Sequence, residues 1–448
     1  MKDVTGGAAS RGTSREAVDL LPNEPYNFRA MLLDGTFFMW GSTFADSSTV
    51  LPVFVSTLTS SSVLVGLVAA IRTGGWFLPQ LFVANFAARM RRKLPVSIAG
   101  MAIHRISFFL IAASVFLFAG RSPSLALGLF FLFLVTLSLG DGITGVPYVD
   151  IVGKTISDTR RGRLFGYYQA AGGLLAFASG FVIRYLLGPQ GPGYPVNYAL
   201  VFFAGAVIAM GSFISFSLVK EPPGTTHASH ASFLEYLHAM PGYWRQSPMF
   251  ARLVIVRLLA NSVWMSVPFY AVFARERMAV PAGTVGLFVS AQMLGSVLGS
   301  LILGHAGDRF GNRAVVRATS AVVLASPLAA LLAAFAFSVG LHTLAVALMF
   351  LPFIFSGVYG AAGWIGYINY LIEIVPVELR PTYTGLMNTA MAVTSLLPVV
   401  GGLLVQVLGY QVTFAVTLAT TAAGLLLTST MVEPRAVQPE HDFARLEA

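Results

Sequence analysis

Four charged side chains interrupt long apolar stretches of this sequence: Asp46, Arg72, Arg105 and Asp141. A carboxylate held away from water can take up and release a proton when an arginine beside it approaches or withdraws. The four residues are therefore candidates for a proton- or charge-coupling site. His104, next to Arg105, could also titrate near neutral pH, although a lone histidine is more often a packed side chain.

The apolar stretches that must position these charges are long enough to cross a bilayer. Only 10% of the 448 residues are charged and 56% are hydrophobic, whereas soluble proteins carry about a quarter charged residues. A spanning helix needs about 20 mostly apolar residues. The sequence predicts an all-α membrane protein of twelve such helices, at 30–57, 61–88, 95–119, 124–151, 162–187, 197–219, 250–274, 282–305, 313–337, 342–374, 382–408 and 410–432.

The depth of each charge follows from the helix rise of about 1.5 Å per residue. Asp46 and Arg72 fall at one depth on predicted helices 1 and 2, and Arg105 and Asp141 share a depth on helices 3 and 4. We therefore expect two ion pairs, Asp46–Arg72 and Asp141–Arg105. One interpretation is that they are static pairs that hold the helices together. The other is that a carboxylate takes up and releases a proton, with Asp46 as the first candidate and Asp141 as the second.

Lys and Arg are distributed unequally between the two ends of the helices. With the N-terminus inside, 21 of the 28 basic residues lie on the inner side and four on the outer side. Basic loops stay on the cytoplasmic side of a membrane. The sequence therefore predicts a multi-pass protein of the cell membrane with both termini in the cytoplasm.

The two halves of the chain repeat each other. Val65-Gly66-Leu67 recurs as Val285-Gly286-Leu287, 220 residues later, and 84–93 lies over 304–313 at the same offset. Two parallel six-helix repeats are an architecture of secondary transporters. The predicted division is 1–28 as an N-terminal cytoplasmic tail, 29–219 as the first six-helix bundle, 220–249 as a cytoplasmic linker, 250–432 as the second bundle and 433–448 as a C-terminal cytoplasmic tail.

The decapeptide GHAGDRFGNR at 304–313 is a tight, charged turn between two apolar runs. It resembles the loop motif of the major facilitator superfamily at Gly304, Asp308, Arg309, Gly311 and Arg313. The resemblance implies two six-helix bundles related by a pseudo-twofold axis, and a loop that latches the bundles together on the cytoplasmic side. Asp308 would then dock near the start of helix 5. The first copy lacks this acid, because Ala88 stands in its place.

The resemblance also implies that helices 1, 4, 7 and 10 line a central cavity. Aromatic rings at helical spacing are more often packing than ligand contacts, so only part of the following set is expected to touch a substrate. Besides Asp46 and Asp141, the candidates are Trp40, Tyr148, Arg257, Asn261, Trp264, Tyr270, Trp364, Tyr367 and Asn369. Asp34, near the inner surface, is a candidate for a gate.

Several classes of function are disfavoured. The chain has no cysteine, no phosphate-cradling G-x-x-x-x-G-K-[ST] loop and no nucleophile–base constellation, so neither an enzyme nor a cofactor is expected. The basic residues fall in short clusters rather than on one polar face, which argues against nucleic acid. The expected partners are a small-molecule substrate, the lipid bilayer and, as a candidate, protons; the chain is expected to be a monomer.

Two classes of function stay open. One is a secondary active transporter that works by alternating access, with proton-coupled antiport of an amphipathic compound out of the cell as the first hypothesis. Uptake of a sugar or metabolite is the alternative within this class. The other class is a non-transporting receptor or lipid-binding scaffold with the same fold.

Overall fold

The computed structural model describes residues 21, 23–224, 242, 247–376 and 379–434. In these ranges the chain forms helices and no strand. The first six helices are α1 (Glu24–Ser42 and Val50–Leu58), α2 (Ser62–Ala88), α3 (Leu94–Phe118), α4 (Pro123–Thr155), α5 (Asp158–Leu187) and α6 (Val196–Ser217). The next six are α7 (Pro248–Asn261 and Val267–Glu276), α8 (Thr284–Phe310), α9 (Asn312–Ser338), α10 (His342–Leu348 and Phe350–Ile374), α11 (Arg380–Ala392 and Leu397–Leu408) and α12 (Tyr410–Leu427).

Eleven helices among the described residues are long and apolar enough to cross a membrane. They are α2 to α12, with the segments of each interrupted helix taken together. The exception is α1, whose two segments together make the predicted first span. The predicted all-α, multi-pass membrane fold is confirmed.

Two helices are broken near their middle at matching places in the repeat. In α1 the backbone turns extended at Asp46, with φ −66° and ψ 129°, and the helix resumes at Val50. In α7 a 3-10 turn at Ser262–Met265 precedes the second segment, and Ser266 follows Asp46 by 220 residues. Breaks of this kind leave backbone groups that polar side chains must satisfy within the membrane.

Each half has its own aromatic cluster. In the first half Phe54 of α1 packs against Phe130 of α4 and Phe202 of α6, with ring centroids 5.3 and 5.2 Å away. In the second half Tyr270 of α7 lies 5.2 Å from Phe414 of α12. These fully buried rings hold α1 and α7 in place against other helices of their own halves.

The helix ends that carry Lys93, Lys154, Lys220, Arg313 and Arg380 lie on one side of the molecule, which we call the basic face. Away from this face the two halves meet through glycines. A side chain at Gly180 of α5 would collide with Gly286 and Ser290 of α8, and a side chain at Gly402 of α11 would collide with Ser62 of α2. Small residues allow such close helix approach.

Toward the basic face the same helices separate. A Cβ atom added at Gly162 or Gly166 of α5 would meet no other atom within 4 Å. Leu301 and Ile302, in the corresponding part of α8, are 67% and 63% exposed. The halves are therefore closed against each other on the opposite face and apart at the basic face.

Candidate functional site

A buried carboxylate joins three helices in the first half. Asp141 of α4 accepts a hydrogen bond from Arg72 of α2, with 3.0 Å between Nη1 and Oδ2. The other carboxylate oxygen lies 3.4 Å from Nε2 of His104 on α3. The side chains of Asp141 and His104 are only 8% and 3% exposed. A charged group so far from water is stable only when it is paired, and Arg72 supplies the paired cation while the His104 ring contacts the other carboxylate oxygen.

Arg105 belongs to a second network, next to the first. Its guanidinium donates to the Ala209 carbonyl (3.2 Å) and to the Ser212 hydroxyl (2.7 Å), both on α6. Ser212 in turn donates to Asp34 of α1 over 2.6 Å. Asp34 is buried and connects α1 to α3 through this serine, and its role as a gate stays a prediction.

Asp46 lies in the break of α1 and bonds to the chain around it. Its Oδ1 accepts from the Ser48 amide (2.9 Å), the Ser48 hydroxyl (2.5 Å) and the Thr49 hydroxyl (2.7 Å). Its Oδ2 accepts from Nε2 of Gln292, on α8 of the other half, over 3.3 Å. Asp46 thus satisfies the free backbone of a broken helix and reaches across the interface between the halves.

Both predicted ion pairs are therefore wrong. Arg72 forms its ion pair with Asp141 instead of Asp46. Arg105 donates hydrogen bonds to α6, including one to Ser212, instead of forming an ion pair with Asp141. Counting residues along a helix fixes the depth of a side chain, but it does not fix the direction in which the side chain points. The count also assumed a continuous α1, whereas the break at Asp46 turns its carboxylate toward the second segment.

Hydrogen bonds between the two halves all lie away from the basic face, as far as the described ranges extend. Besides the contacts of Gln292 with Asp46 and with the Ser48 hydroxyl (2.9 Å), Ser290 donates to the Phe177 carbonyl over 2.8 Å. Ser61 and Gln406 meet at 3.4 Å. These polar contacts strengthen the closed side that the glycines form.

In the second half, the predicted cavity residues of α7 contact α10 and α11. The Arg257 guanidinium lies over the Tyr367 ring, 5.5 Å from its centroid. Asn261 donates to Thr394 Oγ1 over 3.2 Å and accepts from the Tyr359 hydroxyl. This group brings a cation, an amide and phenols together within the membrane.

The remaining cavity candidates are placed less uniformly. Trp40 donates its indole N–H to Ser179 over 2.8 Å, Tyr148 stacks on Phe216 with 5.4 Å between centroids, Trp264 is half-buried and Asn369 is exposed. Tyr270 is fully buried among core rings and holds no cavity surface. The side chain of Trp364 lies outside the described residues.

Part of the loop motif at 304–313 forms the turn between α8 and α9 and fixes the start of α9. Gly311 has φ +84° where α8 ends and α9 begins, a conformation that favours glycine. The Arg313 amide donates to Glu433 over 3.2 Å, and its guanidinium donates to the Ser429 carbonyl over 3.1 Å. Arg309 is exposed and Gly304 has open space around it. The side chain of Asp308 lies outside the described residues, so the latch stays a prediction.

A repeated carboxylate was not assigned a role from the sequence. Glu221, just after α6, accepts from the amides of Lys93 (2.8 Å) and Leu94 (2.7 Å) at the start of α3. Glu433, just after α12, accepts from the Arg313 amide at the start of α9. The matching KEPP and VEPR segments at 220–223 and 432–435 are the sequence signal that could have revealed this pair. A carboxylate at a helix start compensates free amides and the helix dipole.

Comparison with known proteins agrees with this architecture. Residues 253–446 match the sequence profile of the Major Facilitator Superfamily, whereas no curated protein matches the chain. Among solved structures, a D-xylose–proton symporter aligns with a TM-score of 0.69 and 13% identity, covering 93% of this chain and 100% of the other. A bacterial homologue of the iron transporter ferroportin in its inward-facing state aligns with a TM-score of 0.67 and 14% identity, over 90% and 98% of the two chains.

A bacterial homologue of ferroportin in the outward-facing state aligns less well, with a TM-score of 0.58 and 15% identity, over 92% of this chain and 99% of the other. At these identities the structural likeness shows the fold alone. The profile match covers the second half of the chain, and the fold extends over both halves. Residues 253–446 therefore have the sequence pattern of the Major Facilitator Superfamily, and the two halves together have the all-α, multi-pass fold of the membrane transporters to which the chain aligns.

Proposed function

We propose that this protein is a secondary active transporter that works by alternating access. It couples the movement of a small molecule to the movement of protons, and Asp141 is the carboxylate that carries the proton. The observation behind this proposal is the placement of Asp141 between Arg72 and His104. Asp46 is the weaker candidate, because its carboxylate already satisfies the break of α1.

The coupling follows from the cost of an unpaired charge. While Arg72 stays 3.0 Å from Asp141, the ionised carboxylate is compensated. If Arg72 withdraws when the helices repack, the carboxylate becomes an isolated charge in a medium of low polarity, and taking up a proton removes that cost.

The arrangement of the halves supports alternating access. The two bundles, 29–219 and 250–432, would rock against each other, joined by the linker 220–249. The observed state is open at the basic face, which we assign to the cytoplasm because it carries the excess of Lys and Arg. The better superposition on the inward-facing ferroportin homologue than on the outward-facing one agrees with this orientation. In the opposite state, the loop with Asp308 would dock beside the start of α5.

The proposed cargo is an amphipathic compound, and the proposed direction is export in exchange for protons. Trp40 and Asn261, which are half-buried, offer an aromatic surface and an amide to a cargo. Behind them lie the buried Tyr359, which donates to Asn261, and the Arg257–Tyr367 pair. Uptake of a sugar or metabolite is the alternative for the same polar groups.

Vesicle flux tests the proposal. Purified protein is reconstituted into proteoliposomes with a trapped pH-sensitive dye, a pH gradient is imposed, and movement of the amphipathic fluorescent cation ethidium is recorded together with proton movement. We expect wild type to move both in opposite directions, and Asp141→Asn to lose gradient-driven accumulation while keeping downhill exchange. Glu276→Gln is the matched control, because this carboxylate is exposed at the end of α7, away from Asp141 and from the proposed dock at α5. Accumulation by Asp141→Asn at the wild-type level would refute the assignment, and sugar uptake without ethidium movement would favour the alternative.

A further inference from the structure

A groove runs along the outside of the second half, between α9 and α12. It has a volume of about 590 Å³ and is lined by Ala314, Arg317, Ala318 and Ala321 of α9 and by Leu425 and Leu426 of α12. Both helices pack against other helices of their own half, and Leu426 is 73% exposed. The groove therefore faces the lipid and not the space between the halves.

The charge of the groove lies at one end. Arg317 is five residues beyond the first residue of α9, which places it roughly 7 Å in from the basic face, at the level of lipid headgroups. Among the described residues, its exposed guanidinium forms no ion pair with a carboxylate. Two further arginines are nearby, because Arg313 and Arg252 donate to the Ser429 and Thr430 carbonyls at the end of α12.

The groove is not simply a consequence of the repeat. Ala314, Ala318 and Ala321 correspond to Leu94, Ile98 and Met101 of α3 at the offset of 220 residues, and Arg317 corresponds to Ser97. At the aligned positions the first half thus has bulkier side chains in place of the alanines, and a buried serine in place of the exposed cation Arg317. The helix-start carboxylates, in contrast, are present in both halves.

We propose that this groove binds an anionic phospholipid, with its phosphate on Arg317 and an acyl chain along Ala318, Ala321 and Leu425. A cation at headgroup depth that continues into an apolar furrow matches the two ends of such a lipid. Arginine suits a phosphate because its planar fork donates two hydrogen bonds at once. Anionic lipid attracts each basic residue near the membrane surface by about 1 kcal/mol.

Native mass spectrometry of the detergent-purified protein tests the proposal, with titration of phosphatidylglycerol, phosphatidylcholine and inorganic phosphate. We expect wild type to prefer phosphatidylglycerol, and Arg317→Ala to bind it about fivefold more weakly, while Arg317→Lys retains part of the preference. Arg121→Ala, which removes an equal charge from the opposite face, should bind like wild type. Inorganic phosphate should not displace the lipid.

A second substitution tests whether the apolar part of the groove binds an acyl chain. Ala321→Leu should weaken binding of both lipids, because it fills the furrow, whereas Ala113→Leu, at an exposed position of α3, should not. Unchanged melting temperatures without added lipid show that each variant is folded. The proposal is overturned if Arg317→Ala binds phosphatidylglycerol as Arg121→Ala does, if Ala321→Leu has no effect, or if inorganic phosphate displaces the lipid.

Discussion

Arg72 and Asp141 form an ion pair between α2 and α4, with Nη1 and Oδ2 3.0 Å apart, and this pair takes the arginine away from Asp46. Asp46 is left to bond its own helix break and Gln292 of the other half. The two carboxylates therefore have different tasks, since one is paired with a cation inside the first half and the other connects the halves. The predictions below separate these tasks.

The pairing of Arg72 can be measured with a double-mutant cycle. Asp141→Asn and Arg72→Gln each leave a charge without its partner, so each should destabilise the protein by about 3 kcal/mol. The double variant should lose less than the sum, with a coupling of about 1 to 3 kcal/mol in thermal or denaturant unfolding. Asp46→Asn combined with Arg72→Gln is the matched control and should be additive. Additive losses for Arg72 with Asp141 would contradict the pair.

The sequence predicts the helices of this site but not the partners of its charged side chains. Apolar run lengths and the bias of Lys and Arg are sums over many residues, so the helices and the repeat were predictable. The partner of Arg72 depends on helix rotation and on the break at Asp46, which are set by tertiary packing. His104 was visible beside Arg105, but nothing in the sequence shows that its ring turns to Asp141.

The contact of Gln292 with Asp46 and Ser48 should help to hold the opposite face closed. Gln292→Ala removes the amide that donates to Asp46 over 3.3 Å, so the population open at that face should rise. Because the natural sequence has no cysteine, spin labels can be placed at Gln190 and Leu341 without other substitutions. Double electron–electron resonance should show longer distances in the variant. Gln411→Ala, at an exposed position of α12, is the control and should match wild type. Identical distance distributions in all three proteins would show that Gln292 does not help to hold the opposite face closed.

The glycine contact between α5 and α8 predicts a stronger effect of the same sign. Gly180→Val places a branched side chain against Ser290 and Gly286, so the observed state should become inaccessible and the labels at Gln190 and Leu341 should move apart. Gly128→Val is the control, because a Cβ atom at Gly128 has no neighbour within 4 Å. A Gly180→Val protein that is folded and keeps the wild-type distances would show that this crossing does not close the opposite face.

The two helix-start carboxylates should differ in strength. Glu221→Gln weakens hydrogen bonds to two amides and an ion pair with Lys154, so it should cost about 1 to 2 kcal/mol of unfolding free energy. Glu433→Gln should cost less, because it weakens a single hydrogen bond, the one that the Arg313 amide donates over 3.2 Å. Melting in detergent measures both, with exposed Asp158→Asn as the reference. Equal losses in the three variants would argue against a specific role of the two residues.

The central claim is that the charge of Asp141 controls which face is open, and it can be tested without knowing the cargo. Spin labels at Arg92 and Leu379, one in each half at the basic face, report the opening of that face by double electron–electron resonance. In wild type we expect the distance distribution to change between acidic and mildly alkaline buffer, because protonation of Asp141 releases Arg72. In Asp141→Asn the distribution should be the same at both pH values, while the Asp46→Asn protein should still respond. A distance change with pH that is as large in Asp141→Asn as in wild type would contradict the account.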